Sequence, residues 1–369
     1  MGHRLVALPF DALPGWHDDP LDDVLEALRR CRDFIVSGGR YRTGSLGIET
    51  SDFHEVWAAL ENIPTSTDER RSALERHFTP ARIEPSENLG FVTGYYEPEM
   101  EASETRDERF RYPFYRRPDD LIETDAVDDR QALLAEGYRF ARRTDTGALA
   151  PYHDRQAIES GMLSGRGLEI AFVESRIDVF FAHIQGCARL RMRDGRLKRL
   201  TYAAKSGHAF TPIGRVLIEA GEFKPGGVTM DGLRAWLADN PHRQDEILWR
   251  NRSFIFFRED LSADPAEGPV AAAKVPLTAG RSLAVDRDVH TFGTPIYVCA
   301  SGLIHLEPEG APFRRLMVAQ DTGSAIIGPA RGDIFVGSGA EAGHRAGSVK
   351  HAADMFVLIP KPAAARLLS

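Results

Sequence analysis

The sequence predicts a mainly β protein, with helices at its N-terminal end and a small closed barrel formed by its C-terminal strands. Three observations carry that expectation. Apolar residues in the first ninety positions recur at helical spacing. From Ser253 onward the apolar runs are short, bounded by Gly, Pro or Asp, and show no helical period. The charge balance also changes near residue 260: the chain carries 46 Lys and Arg against 54 Asp and Glu, a net charge of −8, yet residues 261–369 hold ten of each sign.

Element by element, Asp19-Pro20 offers an N-cap and a first-turn proline to a helix in which Leu21, Val24, Leu25, Leu28, Cys31 and Ile35 form one face. A second helix is expected at 53–60. A third starts at Ser66, with Glu69 completing a capping box, and ends near Phe78. Residues 98–150 are rich in Arg, Asp and Glu, with periodicity only at 130–140. Strands are expected at 168–173, 179–184 and 197–202, and helices at 213–220, 231–239 and from 246. Beyond Ser253 the pattern is strands only: 254–257, 271–277, 282–285, 295–300, 316–320, 333–336 and 355–359.

Composition excludes several functions. Hydrophobic residues make up 43% and charged residues 27% of the 369, ordinary globular values that need no disulfide or metal staple. The net charge argues against nucleic acid as a partner. Cys31, Cys187 and Cys299 form no CxxC pair, and no HExxH spacing occurs, so neither a metal nor any other cofactor is expected. No run of 18 apolar residues is present, so no transmembrane segment is expected.

The densest chemistry lies between Asp321 and Gly347, where seven glycines fall in 27 residues and imply tight turns or close backbone approach. Asp321 and Asp333 adjoin apolar strands there. Asp321-Thr322-Gly323 together with Asp145-Thr146-Gly147 invites comparison with the paired aspartates of an aspartic protease. That arrangement is set aside because Asp145 follows a polar stretch and too few residues follow Asp321 for a second lobe.

A longer ordered series is more specific: Thr93-Gly94-Tyr95-Tyr96-Glu97-Pro98, Tyr112-Pro113-Phe114-Tyr115, Gly165-Arg166-Gly167-Leu168-Glu169, Gln185-Gly186, Tyr202-Ala203-Ala204-Lys205-Ser206-Gly207-His208, Ile213-Gly214-Arg215, and Asp321-Thr322-Gly323 through Arg345-Ala346-Gly347. Together these motifs resemble the membrane-bound lytic murein transglycosylase A family, over roughly residues 8–360. The resemblance implies a double-psi β-barrel domain (1–97 with 254–369) interrupted by an inserted β domain (98–253), with glycan in the groove between them. It implies cleavage of the β-1,4 bond between N-acetylmuramic acid and N-acetylglucosamine without water, leaving a 1,6-anhydromuramoyl end. It places the catalytic acid at Asp333, with Asp321 and Asp286 as companions. Peptidoglycan strands are the implied partner, with cell-wall synthesis or division complexes as further candidates, in the periplasm or at the periplasmic face of the outer membrane. Neither a signal peptide nor a lipid-attachment cysteine is read in the residues shown.

The chemistry is consistent with one carboxyl. A glycosidase that uses water needs two; when the sugar's own C6 hydroxyl takes the place of water, one group serves as acid and then as base. Asp333 would have to remain protonated near its working pH, which apolar neighbours (Ile334, Phe335) and an adjacent carboxylate (Asp321 or Asp286) favour. Thr93, Gly94, Tyr95 and Tyr96 are read as groove lining, since tyrosine offers an apolar face and a hydroxyl to a sugar; the alternative for the tyrosines is core packing. Gln185, beside Gly186, can orient an acetamido group or hydroxyl. Lys205 and His208 either meet peptide-stem carboxylates or belong to a solvated loop. Cys187, Ser206, Ser324 and Ile327 depart from the family's usual residues and bear on substrate contacts rather than on the acid. A non-catalytic expansin-like polysaccharide binder and a conventional peptidoglycan hydrolase are the alternatives.

Overall fold

The computed structural model describes residues 2–59, 66–86, 89–124, 137–260, 264 and 267–368. The chain forms two compact units, Met1–Tyr96 with Ala263–Ser369, and Glu97–Ser262. Both are built mostly of β-sheet.

The first unit opens with β1 (His3–Ala7), α1 (Val24–Val36), α2 (His54–Ala59), α3 (Thr67–His77), β2 (Phe78–Pro85) and β3 (Phe91–Glu97). α3 starts where its side chains direct, with Ser66 Oγ accepting the Glu69 N–H at 3.3 Å. α2 fills the helix expected at 53–60, whose last position lies outside the described residues. α1 starts later than its sequence suggests, at Val24, behind Asp23 in a left-handed conformation (φ 59°). Asp19 does not cap it because its carboxylate is committed elsewhere. Buried, it receives Arg281 at 2.8 and 3.0 Å and accepts the Leu21 and Leu316 N–H groups at 3.1 and 2.7 Å. A buried ion pair this well bonded outranks a cap worth about 1 kcal/mol.

The second unit contains β4 (Glu99–Ser103), β5 (Tyr112–Tyr115), β6 (Ile122–Glu123), β7 (Phe140–Arg143), β8 (Leu149–Pro151), β9 (Glu169–Val173), α4 (Arg176–Gln185), β10 (Cys187–Met192), β11 (Leu197–Lys205), α5 (Ile213–Glu219), α6 (Met230–Asp239), α7 (Gln244–Leu248) and β12 (Ile255–Asp260). They form a six-stranded sheet ordered β12-β11-β10-β4-β9-β5 and a small sheet β6-β7-β8. Most of the periodic stretch expected at 130–140 lies outside the described residues. The strand expected at 179–184 is helix α4 instead. Its aromatic and β-branched residues look strand-like, but Ile177, Phe180, Phe181 and Ile184 keep helical spacing. Ser175 Oγ accepts the Asp178 N–H at 3.2 Å to start the helix, and Gly186 (φ 75°) ends it. The strand expected at 254–257, assigned to the barrel, pairs antiparallel with β11 and belongs here.

The chain then returns to the first unit through β13 (Ser282–Val285), β14 (Pro295–Ala300), β15 (Phe313–Asp321), β16 (Arg331–Ser338), α8 (Gly339–Gly347), β17 (Lys350–Ala352), β18 (Asp354–Pro360) and α9 (Lys361–Leu367). The nine-stranded sheet runs β1-β2-β18-β14-β15-β13-β16-β3-β17. Its core includes Val298, Leu316, Val318, Ile334, Val357 and Ile359, all fully buried. Two expectations fail in this segment: a strand at 271–277, and strands alone beyond Ser253. Residues 271–277 turn through Lys274 (φ 62°) and contribute only a bridge between Val270 and Pro276. Helices α8 and α9 form beyond Gly337, and within α8 Gly343 gives the close approach expected of the glycine-rich stretch, to the Tyr96 ring. Among the described residues, no helix is long and apolar enough to cross a membrane.

Candidate active site

β16 alternates in burial over Arg331–Ile334, and Phe335 is buried as well. Ile334 faces the core, as does Gly332, where a Cβ would lie 2.9 Å from Leu283 Cδ1 and from Met355 Cε. Asp333 and Phe335 therefore share the opposite face. On neighbouring β3, Thr93 and Tyr95 present the same face: Thr93 Oγ1 donates to Asp333 Oδ1 at 2.6 Å, and the rings of Tyr95 and Phe335 lie 5.4 Å apart. On the other side of β16, Ala284 of β13 pairs with Asp333 and, across its other edge, with Asp321 at the end of β15. Two strand spacings, about 10 Å, thus separate the two aspartate backbones, with only a methyl group between.

The surroundings of the two carboxyls differ. Asp333 stays partly open, but burial lifts its carboxyl to about 6; the Asp321 charge pushes the same way, while the Thr93 hydrogen bond and the Arg331 cation oppose it. Arg331 Nη2 donates to Thr93 Oγ1 at 2.7 Å, and its guanidinium also donates to the Gly332 carbonyl and lies 5.7 Å from the centre of the Phe91 ring. Asp321 is also raised by burial, and both of its oxygens are engaged. Oδ2 accepts the Tyr95 hydroxyl at 3.0 Å and Oδ1 the Ala272 N–H at 3.2 Å.

Asp286 sits just past β13 and holds a loop. Its oxygens accept the Asp288 N–H at 3.0 Å and the Gly328 N–H at 2.8 Å, the latter in the segment joining Asp321 to Arg331. His290 pins the same segment, its Nε2 2.8 Å from the Pro329 carbonyl.

Gly94 and Tyr96 meet α8. A Cβ on Gly94 would lie 3.0 Å from the Ala346 carbonyl, and one on Gly343 would lie 2.8 Å from the Tyr96 ring. Both tyrosines are buried, so the part of Tyr95 that serves the site is its hydroxyl.

Gln185, Gly186, Lys205 and His208 belong to the second unit. Gln185 ends α4, and Gly186 is its left-handed terminator. Lys205 ends β11, its ammonium lowered by burial and by Arg139. His208 is buried, bonds the Tyr152 carbonyl at 2.7 Å and is likewise held below the ordinary histidine range by burial. It is therefore packed rather than part of a solvated loop.

Arg331 was not singled out from the sequence. The available signal is its position two residues before Asp333 on one strand, which puts both side chains on one face. The first unit thus presents two carboxyls raised by burial, one with a fixed donor on a single oxygen and one whose oxygens are both occupied.

Residues 91–258 match the family model described as the MltA specific insert domain, and residues 281–359 match the 3D domain. The membrane-bound lytic murein transglycosylase A of Escherichia coli (strain K12) is 34% identical over 293 residues, 78% of this chain and 71% of that protein. A crystal structure of a membrane-bound lytic murein transglycosylase from Agrobacterium tumefaciens is 47% identical, with a TM-score of 0.91 over 99% of each chain. Escherichia coli MltA, solved with bound chitohexaose, is 27% identical, with a TM-score of 0.69 over 97% of this chain and 94% of that one. The chain belongs to the membrane-bound lytic murein transglycosylase A family.

Proposed function

We propose that the protein is a peptidoglycan lytic transglycosylase in which Asp333 acts first as acid and then as base. Asp333 protonates the glycosidic oxygen between N-acetylmuramic acid and N-acetylglucosamine, an oxocarbenium-like muramoyl forms, and its C6 hydroxyl closes on C1 while returning a proton to Asp333. No water is consumed, and the product is a 1,6-anhydromuramoyl end. The observation that carries this reading is the contrast between the two carboxyls. Asp333 titrates near 6 and so holds a proton at mildly acid pH, while Asp321, the carboxyl a hydrolase would use on water, has both oxygens engaged by Tyr95 and Ala272.

The relatives' names and the chitohexaose complex of one of them support glycan as the substrate class and the cell envelope, on its periplasmic side, as the place of action. We further propose that the nine-stranded unit is a double-psi barrel and that Glu97–Ser262 is its insert, a boundary that moves the expected return point from 254 to just after β12.

Purified sacculi incubated with the protein, followed by mass spectrometry of the soluble products, test the reaction. Anhydromuropeptides are expected, together with their loss in Asp333→Asn, which keeps size and removes the proton donor. Products one water heavier identify a hydrolase. Depletion of protein onto sacculi without soluble product identifies a binder. Wild-type release by Asp333→Asn removes Asp333 from the mechanism.

A further inference from the structure

We propose that Arg331 is a positioning residue of the reaction, acting through Thr93 to fix which oxygen of Asp333 gives and takes the proton. The proposal rests on Asp333 being the acid. A guanidinium has donors only, so at 2.7 Å from Arg331 Nη2 the Thr93 hydroxyl must use an oxygen lone pair to accept. Its single proton is then directed at Asp333 Oδ1, 2.6 Å away. A threonine without that cation is a free rotor that can face the carboxyl as donor or as acceptor. With Arg331 held by the Gly332 carbonyl and lying against the Phe91 ring, the rotor is set.

Oδ1 therefore faces a donor throughout the cycle, and the mobile proton belongs to Oδ2. In the first step the Oδ2–H bond breaks as the C1–O bond of the glycoside breaks; the bonding pair goes to the leaving oxygen, which takes the proton. In the second the C6 oxygen bonds C1 and its proton returns to Oδ2. Between the steps Asp333 is an anion, and the Thr93 hydroxyl and the Arg331 charge stabilise it.

β15 contributes Asp321, which opposes the anion. Tyr95 on β3 is bonded to Asp321. Asp286, past the end of β13, is bonded to Gly328. β17 places Lys350 opposite Thr93, and α8, which follows β16, carries Glu341, His344 and Arg345.

The test measures anhydromuropeptide release by Thr93→Ser, Thr93→Val, Arg331→Lys, Arg331→Met and the double variant Thr93→Val with Arg331→Met, with thermal melts alongside. On the acid plateau, where Asp333 is protonated in every variant, Arg331→Met should lower kcat roughly 10- to 100-fold with little change in KM. Its fall in kcat/KM at higher pH should move upward from about 6, because a cation that favoured the carboxylate is gone. Thr93→Ser should keep most of the activity, and Arg331→Lys should restore the position of the pH limb. In the Thr93→Val background, Arg331→Met should cost distinctly less on the plateau, since the hydrogen-bonded route to Asp333 is already cut and only the through-space charge remains. Equal losses from Arg331→Met in both backgrounds, or a lost rate with an unmoved pH limb, overturn the relay. If Arg331→Met melts early, Arg331→Gln, which also removes the charge, carries the comparison of the pH limb. Asp333→Asn separates this failure from that of the proposed function: if it is inactive while the other losses are additive, only the relay falls.

Discussion

At the scale of the residue, the site depends on an aspartate kept where ionisation is unfavourable. Burial and the neighbouring Asp321 charge outweigh the Thr93 and Arg331 contributions, so the Asp333 carboxyl sits at about 6 rather than in the ordinary aspartate range. Two consequences follow with definite sign. A single acid that must be protonated in the free enzyme gives one limb, so kcat/KM is expected to be flat at acid pH and to fall above about 6, without the second limb of an acid–base pair. A pH–rate profile with two limbs of equal weight contradicts this. The same raised value also costs stability. The unfolded chain releases this proton near pH 4, the folded chain near 6, so stability is full below the lower value and is lost as pH rises between the two. Asp333→Asn is therefore expected to be the more stable protein above about pH 7, by up to about 3 kcal/mol, with the gap closing toward pH 4. Denaturant melts at the two pH values decide it. Asp333 was legible in the sequence through the ordered motifs that resemble the family; the residues alone, an aspartate beside glycine, read equally as a turn cap. Arg331 and the bond between Tyr95 and Asp321 were not, because they join residues 238 and 226 positions apart through strand pairings that no local pattern states.

At the scale of the element, the site depends on how closely α8 lies on β3. Gly94 and Gly343 each lack the atom that would collide, one with the Ala346 backbone and the other with the Tyr96 ring. Gly94→Ala is the more informative change, because the obstacle is backbone and cannot swing aside. It should destabilise by about 1–3 kcal/mol, as overpacking does, and should also shift Thr93, lowering kcat more than it raises KM. Unchanged melting and kinetics would show that the helix yields freely. Elements with a strong local signal were readable from the sequence: the Ser66 cap of α3, and the short apolar runs of β13, β14, β15 and β16. α4 was misread because valine and phenylalanine favour strands, while the turn residues Ser175 and Gly186 that settle the matter lie just outside the apolar run. α8 was missed because three glycines argue against a helix; Gly343 is explained by its contact with β3 and Gly339 by its positive φ of 85°.

At the scale of the whole molecule, the chain leaves one unit after Tyr96 and returns to it at Ala263. The second unit has three hydrophobic clusters of its own, centred on Leu190, Phe256 and Leu217. It also has a fully buried Arg155 bonded to the Asn251 and Ser253 carbonyls. Residues 97–262 expressed alone are therefore expected to give a single cooperative thermal transition; a broad, featureless melt would refute that independence. The change in charge near residue 260 marked this return in the sequence. The unit boundary falls after β12 rather than before Phe254, because the apolar start of β12, Ile255–Phe257, reads like the strands that follow although it pairs with β11.

The discontinuous unit also sets an order of events at the ribosome. Thr93 is synthesised 240 residues before Asp333, a delay of roughly 10–50 s at ordinary rates of translation. During that interval the contiguous second unit can complete itself, whereas β3 has neither β16 nor β17 to pair with. A growing chain thus carries Thr93 without Asp333, and the hydrogen bond between them cannot form until synthesis has passed β16.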